Sequence, residues 1–189
     1  MWELLIGPFA VFAVLRYKGI EYCAMATALH RLTLEEFETR FGHEKPYYEF
    51  WYGEAVQKSM PTWIHGLLQR ILMELLTEAG YKAGSEVKLE ISSDFQPVPD
   101  VIATAGRIER PYPTKAVEIV IEILSDDDSM SRILTKCRIY EEWGFREIYV
   151  VDPASRLVFR WSEKRLEQVD SIAGQATKSI WTALDKEID

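Results

Sequence analysis

Two patterns of apolar residues stand out along the chain, one with the repeat of a helix and one with the run of a buried strand. Apolar residues recur three and four positions apart from Ile64 to Leu76, which predicts a long helix that opens at Pro61 and ends near Gly80. From Ala116 to Leu124, seven of nine residues are apolar and most of them are β-branched. A run of this kind is typical of a strand that is buried on both faces.

Shorter patterns predict a mixed order of helices and strands around these two elements. Predicted helices lie at Leu32–Phe37 (with Thr33 and Glu36 as a capping box), Ser131–Trp143 and Lys178–Lys186. A predicted strand at Tyr47–Trp51 is followed by a turn at Gly53-Glu54 and a second strand that runs through Val56. Further strands are predicted at Val87–Ile91, Val98–Ala103, Glu147–Asp152 and Leu157–Trp161. A loop is predicted at Ser171–Thr177. This order indicates an α/β fold in which helices flank a mixed β-sheet.

The buried strand contains carboxylates, which need a physical reason. A charge at Glu122 is costly there unless it is paired or holds a metal ion, whereas Glu118 is expected nearer to solvent. Asp100 lies in a short strand upstream, and Lys136 lies on the helix that follows, at the border of its apolar stripe. If that helix packs back on the sheet, Asp100, Glu122 and Lys136 converge at one edge. Two acids and a lysine are the parts needed for metal-assisted phosphodiester hydrolysis.

Each of these residues also has a purely structural interpretation. Asp100 alone fits a turn or cap at a strand end, and Glu122 fits an ion pair with Lys136 or Arg138. Lys136 alone fits a solvated position on a helix. Three consecutive aspartates from Asp126 are expected to cap the helix that carries Lys136, because carboxylates are favoured at a helix N-terminus.

Composition narrows the class of protein. The 189 residues are 48% hydrophobic and carry a formal net charge of −8, which argues against a general nucleic-acid coat protein but not against an enzyme with a local basic groove. The two cysteines, Cys23 and Cys137, form no disulfide framework or zinc motif, so a cytoplasmic location is expected.

The first residues form an apolar segment with its own interpretation. This segment is shorter than the ~20 residues that span a bilayer, and it lacks the basic leading region of a signal peptide. We expect residues 1–24 to be an upstream translation start or a peripheral extension, and residues 25–189 to be a single domain. A membrane-associated role for residues 1–15 is the remaining alternative.

The candidate residues occur in an ordered set of motifs. These are Pro99-Asp100, Ile121-Glu122-Ile-Leu-Ser125, Lys136-Cys-Arg-Ile-Tyr140 and Gly144-Phe-Arg-Glu-Ile-Tyr-Val-Val-Asp-Pro153. With Leu32–Phe37, Gly53-Glu54 and Pro61–His65 upstream, the set resembles the Uma-two family of restriction-endonuclease-like proteins, which belongs to the PD-(D/E)XK nuclease superfamily. The resemblance covers residues 30–165.

The resemblance implies a restriction-endonuclease-like core and an endonuclease that hydrolyses DNA. It implies that Asp100 and Glu122 bind one or two Mg²⁺ ions, for which Mn²⁺ can substitute, with the Ile123 carbonyl as a further ligand. Lys136 would stand in for the superfamily lysine, whose usual position is held here by Leu124. Many nucleases of this superfamily cut duplexes as dimers, so a homodimer is expected by analogy.

Two more residues are peripheral candidates for the site. His65 lies in the first turn of the long helix, where the family often has a histidine, although a surface or core role explains it as well. Glu54 is placed to reach the site from the N-terminal hairpin, although turn chemistry explains it equally. The alternative function is a catalytically silent module that binds nucleic acid or a protein; the acidic net charge and two departures from the family pattern, Arg132 and Asp126, keep it open.

Overall fold

The computed structural model describes residues 2–7, 10–17, 20–26, 31–107, 109–126 and 128–188. It divides into two compact units, Met1–Leu32 and Thr33–Asp189. The first unit is an antiparallel sheet with the strand order β1 (Trp2–Gly7), β2 (Ala10–Tyr17) and β3 (Ile20–Ala26). The proposal that residues 1–24 are an extension or an upstream start stays a prediction.

The second unit contains the remaining helices and strands of the described chain. In order these are α1 (Leu34–Phe41), β4 (Tyr48–Trp51), β5 (Glu54–Gln57), α2 (Trp63–Glu78), β6 (Lys82–Ser85), β7 (Phe95–Gln96), β8 (Val101–Thr104), β9 (Ile119–Ile123), α3 (Met130–Trp143), β10 (Glu147–Asp152), β11 (Leu157–Ser162), β12 (Arg165–Gln168), β13 (Ser171–Ile172), β14 (Gln175–Ala176) and α4 (Thr177–Ile188). Among the described helices, none has both the length and the apolar content needed to cross a membrane.

A six-stranded mixed sheet forms the centre of this unit, in the order β12-β11-β10-β9-β8-β6. Strands β9 and β10 run parallel, with Glu122 beside Val150, and every other neighbouring pair is antiparallel. The crossover between the two parallel strands is made by α3, as a parallel pair requires. A separate three-stranded sheet, in the order β5-β4-β7, comes from the region before β8.

The two faces of the mixed sheet pack against different helices, because successive strand residues point to opposite faces. Ile121 lies in a core cluster with residues of α2 and α4, including Leu72 and Ile180. Val120 lies in a second cluster, with Ile133 and other residues of α3. Glu122 is two residues after Val120, so β9 turns its carboxylate towards α3. The predicted mixed sheet flanked by helices is confirmed.

The ends of the helices are set by local capping. Thr33 and Glu36 form the predicted capping box. Helix α2 begins at Trp63 with Thr62 as its N-cap, two residues after the predicted start at Pro61. The predicted aspartate cap of α3 is wrong: Ser129 caps this helix. Asp128 accepts hydrogen bonds from the Ser125 backbone N–H at 2.9 Å and from its hydroxyl at 2.8 Å, while Asp127 lies outside the described residues.

Two segments differ from the predictions made from polar and apolar alternation. Val87–Ile91 forms no strand, because Leu89 and Glu90 donate their backbone N–H groups to the loop carbonyls of Pro97 and Pro113, at 3.0 and 2.9 Å. Strand β6, just upstream, pairs with β8 instead. The loop predicted at Ser171–Thr177 contains the short hairpin of β13 and β14.

Candidate active site

Asp100 lies immediately before β8 and is only 3% exposed. Its Oδ2 accepts a hydrogen bond of 2.7 Å from the backbone N–H of Ile123, at the end of β9. Its Oδ1 lies 2.8 Å from Lys58 Nζ and 3.3 Å from His65 Nε2. One carboxylate therefore joins the central sheet, the start of α2 and the segment that follows β5.

Glu122 meets two side chains of α3. Lys136 and Tyr140 are four residues apart, so they lie on one side of the helix. Lys136 Nζ is 2.9 Å from each carboxylate oxygen of Glu122, and the Tyr140 hydroxyl donates to Oε1 at 2.6 Å. All three side chains are buried. The packing of α3 on the sheet thus brings Glu122 and Lys136 together, and both lie beside Asp100.

Glu49 on β4 was not predicted from the sequence, yet it is a third buried carboxylate of this cluster, at 3% exposure. Its Oε1 lies 2.8 Å from Lys136 Nζ and accepts a hydrogen bond of 2.9 Å from the Val98 N–H. Its Oε2 accepts from Trp51 Nε1 at 3.0 Å. The signal was an acid within the aromatic run Tyr48–Trp51, similar to the acid within the β-branched run of β9.

Lys58 also escaped prediction. Its Nζ donates to the Asp100 carboxylate at 2.8 Å and to the Val98 carbonyl at 2.7 Å. A single lysine among polar residues after a short strand carries no pattern that points to a site. Only the tertiary structure joins it to an aspartate 42 residues away.

The environment changes the pKa values of these groups in opposite directions. Burial alone would raise the pKa of Asp100, but Lys58 and the hydrogen bond with His65 outweigh it and hold that pKa well below its usual range. Burial raises the pKa of Glu122 to about 7, because the opposing effect of Lys136 is smaller and the charges of Asp100 and Glu49 add to the increase. Asp100 is therefore firmly ionised at neutral pH, whereas Glu122 titrates there.

The pKa values of Lys136, Lys58 and Tyr140 are raised. Burial would lower the pKa of Lys136, but Glu122, Glu49 and Asp100 raise it above its ordinary value. Burial likewise opposes the charge of Lys58, and Asp100 reverses the effect so that its pKa is raised. Burial and the Glu122 charge raise the pKa of Tyr140 well above its ordinary value, so its hydroxyl stays a donor.

These groups surround a small cavity of about 40 Å³, which is large enough for a water molecule. The charged side chains on its lining are Glu49, Lys58, Glu86, Asp100, Glu122, Asp128, Arg132 and Lys136, with His65 beside them. Ile123 and Ser125, at the end of β9, line it as well. The carboxyl end of the central strand therefore opens onto a pocket rich in both signs of charge.

The comparisons with known proteins bear on this cluster. The family model described as "Uma2: Putative restriction endonuclease" matches residues 34–183. The chain belongs to the Uma2 family. The resemblance found in the sequence is thereby confirmed. No curated protein matches the chain.

Two solved structures are among those similar to this chain. One match is the crystal structure of a putative nuclease belonging to DUF820 from Anabaena variabilis ATCC 29413, with 22% identity and a TM-score of 0.66, covering 81% of this chain and 99% of that one. The two proteins share a fold. A second match is a complex of DrdV with DNA, at 13% identity over 65% of this chain and 13% of that one, with a TM-score of 0.34.

The predicted residues of this Uma2 protein fall into two groups. The structure brings together Asp100, Glu122, Lys136 and His65, and the backbone of Ile123 joins them. It does not bring Glu54 to the cavity: Glu54 is exposed on β5, and the hairpin contributes Glu49 from the partner strand instead. Glu54 shares a face of the hairpin with Glu49, which is opposite Val56, but Glu54 lies beside the turn at the end of the strand, where its side chain is exposed.

The resemblance to metal-dependent nucleases implies a divalent cation at this cavity. Across the described residues, no three His, Cys, Asp or Glu side chains are grouped so that they could hold a metal ion. Asp100 and Glu122 nevertheless line one cavity together with Ile123. Two carboxylates with main-chain oxygen suit Mg²⁺, which keeps several waters and binds through one or two carboxylates plus substrate phosphate. The residues present therefore fit Mg²⁺ better than an ion that needs a full protein cage.

Proposed function

We propose that this Uma2 protein is a Mg²⁺-dependent endonuclease that hydrolyses DNA phosphodiester bonds at the cavity formed by Asp100, Glu122 and Lys136. The observation that carries the proposal is the convergence of two buried carboxylates and a lysine at the end of the central strand. The family description, a restriction endonuclease, supports DNA as the substrate. The homodimer and the cytoplasmic location stay predictions.

The balance of charge supports a role for a divalent cation. With Glu122 ionised, five carboxylates and three cations line the cavity, which leaves two net negative charges among Glu49, Glu86, Asp100, Glu122, Asp128, Lys58, Arg132 and Lys136. A phosphodiester is itself negative, so this cluster would repel it. A bound divalent cation would cancel this charge and so remove the repulsion of DNA from the site.

The residues of the chain have separate roles in the proposed reaction. Asp100 and Glu122 would hold Mg²⁺, with the Ile123 carbonyl as a further ligand. When bound, Mg²⁺ would lower the pKa of a water ligand and offset charge on the phosphoryl oxygens. Tyr140 keeps the Glu122 carboxylate oriented through its hydrogen bond. A lysine beside the carboxylates would offset the charge that develops on the phosphate.

A catalytically silent module that binds nucleic acid or a protein is the second candidate. It is favoured by the ion pairs within the chain, because Lys58 already pairs with Asp100 and Lys136 with Glu122. A fold that only preserves these pairs has no need of a metal ion. Metal binding therefore separates the two functions.

The experiment is calorimetric titration of Mg²⁺ and Mn²⁺ into the native protein, the double variant Asp100→Asn with Glu122→Gln, and the control Glu54→Gln, which alters an exposed acid. The endonuclease proposal expects binding by the native protein and the control but not by the double variant. The same proteins are then incubated with supercoiled plasmid and single-stranded DNA. If the native protein binds no metal even with DNA present, and circular dichroism shows an intact fold, the endonuclease proposal is wrong and the silent module is favoured.

A further inference from the structure

We propose that Lys58, rather than Lys136, is the lysine that contacts the substrate phosphate, and that Lys136 is a positioning residue for the carboxylates. The inference rests on the proposed endonuclease function and assigns its phosphate-binding group. It follows from a difference in how the two ammonium groups are held.

The ammonium group of Lys136 is bound by carboxylates of the protein itself. Its Nζ lies 2.8 Å from Glu49 and 2.9 Å from Glu122, and its side chain is only 5% exposed. Both carboxylates are themselves 3% exposed. If Lys136 turned to a phosphate, it would leave two buried carboxylates without their shared cation, which is strongly unfavourable.

Neither carboxylate is free to follow Lys136 towards a substrate. Glu49 is held by the Val98 N–H at 2.9 Å and by Trp51 Nε1 at 3.0 Å. Glu122 lies on the central strand and accepts a hydrogen bond from Tyr140. The ammonium group of Lys136 is therefore held in place between these two buried carboxylates.

Lys58 has one carboxylate partner, whereas Lys136 has two. Its side chain is 14% exposed, and its Nζ has two acceptors among the described residues, the Asp100 carboxylate and the Val98 carbonyl. An ammonium group has three donors, so one remains for a ligand. The Lys58 backbone is anchored by its N–H bond of 2.8 Å to the Tyr47 carbonyl, which lets the tip of the side chain turn while its base stays in place.

Asp100 does not depend on Lys58 in the way that Glu122 depends on Lys136. If Lys58 turned to a phosphate, Asp100 would keep the Ile123 N–H at 2.7 Å and His65 at 3.3 Å. The carboxylate would also become more available to a metal ion, because one oxygen would lose a competing cation. One movement of Lys58 thus serves both metal and phosphate binding.

The chain offers a matched control for this test. Lys88 has a side-chain exposure of 17%, close to that of Lys58, and it pairs with Glu38 and Glu90 at 2.7 and 3.0 Å. It does not line the cavity, so its neutralisation removes the same charge at a place where no phosphate is proposed.

The experiment measures duplex binding by fluorescence anisotropy in Ca²⁺ over a series of salt concentrations, for native protein and for Lys58→Gln, Lys88→Gln and Lys136→Gln. Loss of one phosphate contact lowers the slope of log affinity against log salt by about 0.9. We expect this change in Lys58→Gln alone. With Mg²⁺, we expect Lys58→Gln to cleave about 100-fold more slowly and Lys58→Arg to recover part of the rate.

Several results would overturn the assignment. If native protein cleaves DNA while Lys58→Gln keeps the native slope and rate, Lys58 does not contact phosphate. A loss of slope in Lys136→Gln instead would return that role to Lys136. Unfolding of both Lys58→Gln and Lys58→Met, seen by circular dichroism, would make Lys58 structural. If native protein neither binds nor cleaves DNA, the endonuclease proposal fails first and the role of Lys58 falls with it.

Discussion

Lys136 Nζ on α3 lies 2.8 Å from Glu49 Oε1 on β4, and this buried contact ties the small β5-β4-β7 sheet to the helix that crosses over the central sheet. Both groups are almost fully buried, so loss of either partner would leave the other charge poorly solvated. The contact is therefore as important for the fold as for the proposed site.

Glu49→Gln should lower the free energy of unfolding by about 3 kcal/mol, because it removes one charge of a buried pair and leaves the other partly uncompensated. Urea denaturation followed by circular dichroism measures the change. The control is Glu38→Gln, which breaks the more exposed pair with Lys88 and should cost about 0.5 kcal/mol. Equal effects for the two variants would contradict a special role for Glu49.

The free energy of unfolding should depend on pH through the titration of Glu122. Its pKa is 4.5 as an ordinary carboxyl and about 7 in the folded protein, so the folded state binds more protons between these values. Its contribution to stability is then fully present below pH 4.5 and is lost as the pH rises to about 7. We expect the stability difference between native protein and Glu122→Gln to fall over this window, as measured by urea denaturation in a series of buffers. A flat difference would show that Glu122 is ionised throughout.

Asp100 should give the free energy of unfolding the opposite dependence on pH. Lys58 and His65 depress its pKa in the folded state, so the unfolded chain binds the proton more readily. The stability that Asp100 contributes is present above its ordinary pKa of 3.8 and is lost as the pH falls below that value. Asp100→Asn should therefore make the acid limb of the unfolding curve shallower, and an unchanged limb would argue against the ion pair.

Tyr140→Phe should weaken Mn²⁺ binding about tenfold, because the Glu122 carboxylate loses the donor that orients it. Calorimetry measures the affinity, and thermal unfolding reports the accompanying loss of stability. Tyr149→Phe is the control, since its hydroxyl donates to Glu147 at the far end of β10. It should lose stability without a change in metal affinity. Equal metal affinities in the two variants would contradict the orienting role.

Two glycines should respond to alanine with opposite signs. Gly144 ends α3 at a φ of 98°, so Gly144→Ala should destabilise the protein by about 1 kcal/mol through backbone strain alone. Gly66 is within α2, and an added methyl group would meet no atom within 4 Å. Gly66→Ala should stabilise by about 0.5–1 kcal/mol. Thermal melts give both values, and a common sign would contradict the helix boundaries described above.

The sequence predicted those parts of the site that lie within a strong local pattern. Glu122 could be found because a carboxylate interrupts a run of β-branched residues, and Asp100 and Lys136 could be placed by the family resemblance. Glu49 carried a similar signal, but the strand around it has only four residues. Lys58 carried none, since its role depends on a contact across 42 residues of chain.

The errors in the fold have a related cause. The alternation at Val87, Leu89 and Ile91 imitates a strand, and Leu89 is indeed fully buried. A strand also needs a neighbour of suitable register, and β6 already fills the edge of the sheet next to β8. Side-chain periodicity reports burial, but it says nothing about which backbone groups are still available for pairing.

The order of the strands has a consequence for how the protein is assembled. Asp100, Lys58 and Glu49 all precede the connection between β8 and β9, whereas Glu122 and Lys136 follow it within the contiguous β9-α3-β10 segment. A single cut in that connection would leave Glu49, Lys58 and Asp100 in one fragment and Glu122 and Lys136 in the other. Two contacts of the cluster would then join the fragments, the Glu49–Lys136 ion pair and the hydrogen bond from the Ile123 N–H to Asp100, so the two pieces should recombine, and reconstitution of the site would report directly on their association.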